Sequence, residues 1–323
     1  MTSHGDISEK ASTRGSAASF LSESEDHSED EDSLLMSDER CAYIYDHRIA
    51  PENLVKEGVR GRPQFWIVAG ENGIGKTTGM DRIAVQLQGP TQKISSDNLV
   101  KYVDGYHDLA AKNPALAQEE ARDFTPEWCD RLRDDAGKKG AHILIECSLP
   151  GGMQEDIEFA ESRGYETGLY LIAEPREISW TAVVDRTDKA LKSGHIGTSA
   201  MVSDSGHSQR YAAWPRAVFD AERDMQFDRI VIARRDGTVM YHNQREERDS
   251  AKRWVNRPQG LEVLLLERHR GLSRAQIDWL DKTWKRLANS SQLKADRFMR
   301  SIPLHQHKVN PGKSGHRRPS TID

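Results

Sequence analysis

The stretch Phe65-Trp66-Ile67-Val68-Ala69-Gly70-Glu71-Asn72-Gly73-Ile74-Gly75-Lys76-Thr77-Thr78 decides the fold. An apolar strand runs into G-x-x-x-x-G-K-T, and a helical pattern follows to about Gln88, with Met80, Ile83, Ala84 and Leu87 on one face. Each part has a duty toward a nucleoside triphosphate. Gly70, Gly73 and Gly75 let the backbone turn tightly, so that N–H groups along Gly70–Thr78, those of Glu71, Asn72 and Ile74 included, point at phosphate oxygens. The following helix turns the positive end of its dipole to the same charge. Lys76 is placed to reach the β- and γ-phosphates, and the Thr77 hydroxyl to enter a Mg²⁺ shell.

Outward from this loop, strand and helix patterns alternate. A short helix starts at Pro51 upstream of it. Downstream, Lys93-Ile94-Ser95-Ser96-Asp97 reads as a short strand ending in a carboxylate. The span 114–138 is mostly helical, with Thr125-Pro126 opening its second half. Ala141–Glu146 is apolar on both faces, as a buried parallel strand is, and closes on Glu146. A helix over 153–163 stops at Gly164, and Tyr165–Ala173 is a further strand. Helices follow from Pro175 to about Lys192 and over 207–222. Arg229–Ala233 and Thr238–Tyr241, joined by Asp236-Gly237, form a hairpin on the sheet edge. A last helix begins at Ser273, with Ile277, Leu280, Trp284 and Leu287 as its core stripe. This alternation predicts an α/β fold with a parallel sheet flanked by helices, which the G-x-x-x-x-G-K-T loop makes a P-loop nucleotide-binding sheet, and a helical C-terminal extension. Ligands of such sheets bind beyond the carboxyl ends of the strands, so Gly70, Asp97 and Glu146 are expected around one crevice.

The 323-residue chain divides by composition. Residues 1–40 carry eleven acidic residues against Lys10, Arg14 and Arg40 and are rich in Ser, which predicts a disordered acidic tail. Removing its net charge of −8 from the total of −5 leaves +3 on the body, suited to anionic small ligands. The P-loop domain is expected over 41–245, a helical extension over 246–302 and a disordered basic tail over 303–323. No basic stripe interleaved with aromatics argues for nucleic acid. Cys41, Cys129 and Cys147 lack a C-x-x-C spacing, which fits a reducing compartment. With no apolar run of membrane length and no signal-peptide core, a soluble cytoplasmic protein is expected, with no membrane partner. The polar N-terminus is equally compatible with a delivery or chaperone-docking signal, for a protein secreted into a host cell as an effector.

These residues resemble the zeta toxins, P-loop kinases whose type members phosphorylate UDP-N-acetylglucosamine. Ala69–Thr78 is similar to the A-G-x-N-G-x-G-K-T-T form of one branch, and Ile94-Ser95-Ser96-Asp97 to the strand that ends in the family's catalytic base. Ile143–Ser148 resembles its I-x-I-E-G/T-T strand, and Gly164–Thr167 with Leu169–Ala173 matches the next. Arg186 falls where the family has its first phosphate-clamping arginine. Gly194-His195-Ile196 and Arg210-Tyr211 resemble the segment bearing the second. The resemblance covers roughly residues 42–245. Departures fall on the acceptor side: Cys147-Ser148 after the glutamate, Pro150 where UDP-sugar kinases often have an arginine, and an apparent insertion at Ser203–Ser208.

The resemblance implies ATP and Mg²⁺ as cofactors, with Lys76 and the loop amides holding ATP and Asp97 accepting the proton of the attacking hydroxyl. Arg186 and Arg210 would stabilise the migrating phosphoryl group, while Glu146 and Ser148 would contact the acceptor. It implies a bacterial toxin acting on a nucleotide-linked sugar and held by an antitoxin. An effector kinase acting on another nucleotide, such as the ribose of NAD, is the alternative, and a non-catalytic nucleotide-binding switch is the alternative of another class. Each residue also has a plainer reading. Asp97 can cap the turn at Asn98, Glu146 can be a structural carboxylate, and Arg186 can pair on its helix with Asp185 or Asp188.

Overall fold

The structure, a computed structural model, describes residues 33–193, 202–246 and 253–290. Helix α1 (Asp38–Ile44) is capped by the Ser37 side chain and continues through a wider turn, Tyr45–Ile49, into α2 (Ala50–Asn53). Strand β1 (Gln64–Ala69) leads through the glycine-rich loop into α3 (Lys76–Leu87). Strand β2 (Thr91–Ile94) is followed by α4 (Tyr106–Lys112), α5 (Pro114–Ala121) and α6 (Thr125–Lys139). Then come β3 (His142–Cys147), α7 (Met153–Ser162), β4 (Glu166–Ile172), α8 (Arg176–Ser193) and α9 (Asp204–Arg223). Strands β5 (Arg229–Ala233) and β6 (Val239–Gln244) precede α10 (Gly260–His269) and α11 (Arg274–Ala288).

The six strands lie in the order β2-β3-β1-β4-β5-β6. All neighbours are parallel except β5 and β6, which form the expected antiparallel edge hairpin. Its turn is held by Gly237 at φ +94° and by the Thr238 amide donating to Asp236 Oδ1 at 2.8 Å. Period-two alternation along β1 sends Phe65, Ile67 and Ala69 into the larger core, with Trp128, Tyr165 and Trp214. Trp66 and Val68 face the other layer, against Met80, Ile83, Leu144 and Tyr170. Because β1 is covered on both faces, it reads as a continuous apolar run.

The C-terminal stripe behaves as core. Leu287 packs with Trp180, Val183 and Val184 of α8, and Trp284 donates its indole N–H to Thr181 Oγ1 at 2.9 Å. Ser273 and Gln276 form a reciprocal capping box at the start of α11.

Two differences from the sequence reading concern the N-terminal side. Of the residues placed in the acidic tail, 33–40 are described, and Leu34 is buried in the main core just before Ser37 starts α1. The helical lead-in begins at Asp38 rather than at Pro51. Averaged charge concealed the helical spacing of Cys41, Ile44, Tyr45 and Ile49, all of which are buried. Residues 1–32, 291–323 and the Gly194-His195-Ile196 segment lie outside the described residues. Among the described residues, no helix is long and apolar enough to cross a membrane.

Gly168 of β4 lies opposite Trp66 of β1, and a Cβ there would sit 2.3 Å from the indole ring. Gly168→Ala should therefore lower unfolding free energy by about 1–3 kcal/mol in urea titration. Gly151→Ala, whose Cβ meets nothing within 4 Å, is expected to leave the midpoint in place.

Candidate active site

The loop after β1 is built on three positive-φ glycines, Gly70 at +139°, Gly73 at +79° and Gly75 at +105°. Gly73 is also a contact point, since a Cβ there would lie 2.4 Å from the Ser179 carbonyl oxygen of α8. Lys76 opens α3 with its side chain only 4% exposed, and its Nζ donates to the Glu71 carbonyl at 3.1 Å. The same Nζ lies 3.4 Å from Glu146 Oε1, and Glu146 Oε2 accepts a hydrogen bond from Ser95 Oγ at 2.8 Å.

Register explains why Glu146 reaches Lys76. β3 pairs with β1 so that Glu146 stands opposite Val68, at the carboxyl end where the loop begins. β2 pairs with β3 so that Ile94 stands opposite Ile145, and the chain then turns through Ser96–Asn98. Asp97 sits in that turn and does not cap it. Lys76, Asp97, Glu146 and Arg186 all line one cavity of about 910 Å³, together with Asn72, Gly73, Gly75, Thr77 and Thr78. Burial and the neighbouring Glu146 push the Asp97 carboxyl above its ordinary range, with Arg186, Lys76 and Arg122 pulling the other way. Its side chain still reaches the cavity.

Arg186 is not absorbed by its helix neighbours. Asp185 and Asp188 pair with Arg286 of α11, and with Lys189 at 2.7 Å and Lys192 at 2.8 Å respectively. The Arg186 Nε is buried with no hydrogen-bond partner among the described residues. Arg210 and Ser148 are not among the cavity-lining residues. Arg210 donates to the Gly206 carbonyl at 3.0 Å, and its pKa is lowered by burial and by Arg122, with Asp97 opposing. Glu71 and Ile74 belong to the loop but turn their side chains inward, Ile74 into the apolar layer and Glu71 onto Arg268 of α10.

Several residues carried no signal in the sequence. Glu71 Oε2 and Arg268 Nη2 form a 3.0 Å ion pair whose side chains are 0% and 1% exposed, and the Arg268 guanidinium stacks 3.8 Å above the Tyr211 ring. Glu174, after β4, accepts from the Arg235 amide at 3.0 Å, from Arg270 at 2.5 Å and from Gln276 at 3.1 Å. Arg270, Gln276 and Trp279 of the C-terminal helices and their lead-in thus stand in the cavity wall. Nothing local distinguishes these side chains from surface residues of the same type. Asp97 and Glu146, by contrast, are marked by the ends of the strands that they close.

Among the described residues, no cluster of three or more His, Cys, Asp or Glu is arranged to hold a metal. The Thr77 hydroxyl and the Glu146 and Asp97 carboxylates do face one cavity, which fits a Mg²⁺ ion that takes its remaining ligands from phosphates and water.

A family model described as zeta toxin matches residues 52–246, more than half of the chain. The fold is similar to a structure from the PezAT chromosomal toxin–antitoxin system of the human pathogen Streptococcus pneumoniae. The TM-score is 0.65 at 19% identity, over 79% of this chain and 99% of that one. Two looser likenesses are to AvrRxo1-ORF1:AvrRxo1-ORF2 with sulphate ions (TM-score 0.43, 14% identity, 77% of this chain and 78% of that one) and to the same pair with ATP (0.41, 14%, 77% and 78%). Among curated proteins, none matches the chain.

A carboxyl whose pKa is raised on folding binds more protons folded than unfolded. Its contribution to stability is therefore greatest at low pH and falls as pH rises through the folded-state pKa. Asp97→Asn removes that charge and keeps the shape. Urea unfolding from pH 4 to pH 8 should show the variant more stable than the wild type at neutral pH, with the gap closing toward the acid end. A gap of constant size would show that the buried charge of Asp97 is not its source.

Proposed function

The chain belongs to the zeta toxin family of P-loop kinases, and we propose that it transfers the γ-phosphoryl group of ATP to a hydroxyl of a nucleotide-linked sugar. UDP-N-acetylglucosamine is the first candidate acceptor. The observation that carries this reading is the meeting of Lys76, Asp97, Glu146 and Arg186 at the end of the phosphate loop. Phosphoryl transfer asks for positioning and charge neutralisation at this place more than for covalent chemistry.

In the proposed step the acceptor oxygen forms a bond to the γ-phosphorus, its proton passes to Asp97, and the bond to the β–γ bridging oxygen breaks to release ADP. A carboxylate flanked by a second acid and partly desolvated is a better base than one in water. Lys76 and the loop amides hold the phosphates, and Arg186, with no partner at Nε, spreads its fork toward the charge that develops. Arg210 is proposed as a second arginine acting beside Asp97. Mg²⁺, held through Thr77 and the phosphates, would neutralise charge on the β- and γ-oxygens. Glu146, already fastened by Ser95 and Lys76, would orient the acceptor or a water, with Ser148 at its margin.

NAD is the second candidate acceptor, because Pro150 opens a tight turn over Pro150–Gly152 and puts no guanidinium where UDP-sugar kinases often have one. As a toxin, the protein is proposed to be held by an antitoxin partner, whereas as an effector it would be handled by a chaperone. A nucleotide-binding switch without transfer is the remaining reading, and it predicts ATP binding with no phosphorylated product.

The test is incubation with ATP–Mg²⁺ and either UDP-N-acetylglucosamine or NAD, with mass spectrometry for one added phosphoryl group. The product should vanish in Lys76→Ala. In Asp97→Asn the rate should fall by about 10²–10⁴ while ATP still binds. Undiminished transfer by Asp97→Asn would remove it as the base, and ATP binding without product on either acceptor would favour the switch.

A further inference from the structure

Strand order gives the cavity two distinct ends. Asp97 follows β2 and Glu146 lies at the carboxyl end of β3, on one side of β1, while the segment after β5 lies on the other. A triphosphate seated on the loop with its terminal phosphate toward Asp97 and Glu146 therefore extends the rest of the nucleotide toward Arg235. At that end the wall changes character. Ile178 and Ala182 of α8 and Ala275 and Trp279 of α11 supply an apolar surface, with the indole of Trp279 half-buried. Arg235 lies over the loop itself, since a Cβ on Gly75 would sit 3.3 Å from its Cγ and 3.6 Å from its Nε. The Arg235 amide is held by Glu174, but among the described residues its guanidinium enters no ion pair.

We propose that α11 completes the donor site, with Trp279 offering an aromatic face and Arg235 a cationic one to the purine base of ATP. The inference rests on the phosphate-loop reading above and adds to it a base-recognition surface that lies partly beyond residue 246, where the family match ends. An indole and a guanidinium are the side chains best suited to a flat π-system in a partly desolvated wall. The wall is also pre-organised, which keeps the ordering cost of binding low. Arg270 and Gln276 tie the start of α11 to Glu174 at 2.5 and 3.1 Å. Trp284 is bonded to Thr181, and Arg286 is paired with Asp185 and Asp188, so Trp279 is held on one flank by Glu174, just before α8, and on the other by α8 itself.

The experiment compares ATP with inorganic tripolyphosphate by calorimetry, both with Mg²⁺, on the full chain and on Trp279→Ala and Trp279→Phe. Tripolyphosphate carries the phosphates and no base, so it also reports whether the loop in each variant is intact. Wild type should bind ATP more tightly than tripolyphosphate. Trp279→Ala should weaken ATP by about tenfold, the scale of one base–aromatic stack, with tripolyphosphate unchanged and Trp279→Phe close to wild type. Unaltered ATP affinity in Trp279→Ala would overturn the proposal, as would equal losses for both ligands, which would make Trp279 a prop for the loop. Equal wild-type affinity for the two ligands would overturn it alone and leave the phosphate loop standing. Failure of the wild type to bind either would bring down the loop reading and the proposal together.

Discussion

The ion pair between Glu71 and Arg268 is the contact on which the rest of the site depends. It joins the second residue of the phosphate loop to a helix 197 positions later, with both side chains withdrawn from water. Burial raises the Glu71 pKa and Arg268 opposes that rise. Removing one member of such a pair strands the other and costs about 3–5 kcal/mol, whereas the intact pair adds little net stability. Its value is positional. The Glu71 carbonyl receives Lys76, so holding the Glu71 side chain also holds the turn that aims the ammonium.

A second set of charges does the same for the opposite wall. Glu174 gathers Arg270, Gln276 and the Arg235 amide, and Glu267 pairs with Arg234 at 2.7 Å and Arg270 at 3.1 Å. The C-terminal helices are thus fixed at the edge of the cavity by side chains that use up most of one another's charge. Arg186 and Arg235 are exceptions, and both are cavity-lining arginines. Where structural pairs satisfy so many charges, those left over mark where an anion or a π-system is expected.

Most of the sheet was legible because its signals are local. β1 is apolar on both faces, Gly164 ends α7 at φ +71°, and Asp236-Gly237 turns the hairpin. The meeting of Asp97 and Glu146 in one cavity was legible for the same reason, each lying at or just past the end of a strand recognisable in isolation, while Lys76 was marked by the glycine-rich motif itself. Arg268, Arg270 and Trp279 were not, because their meaning comes from partners about a hundred or more residues away. Glu174 follows β4 in plain sight, yet nothing in its neighbours announces three donors converging on it. Helix α1 was missed for another reason. A window of acidic residues diluted the apolar spacing that buries Cys41 and Ile44.

The absent Cβ of Gly73 has a mechanical consequence. With the Ser179 carbonyl 2.4 Å and the Val183 Cγ2 methyl 2.7 Å from where that atom would be, the loop sits directly against helix α8, with no side chain of its own at Gly73 to act as a cushion. A displacement of the loop by a bound phosphate is therefore passed to α8 with little slack, and Arg186 rides on α8 two turns further along. The arginine is geared to the cradle. Its distance from the loop is set by the rigid spacing of one helix, while the turn bearing Asp97 rests on a different strand, β2, and lies outside that gear.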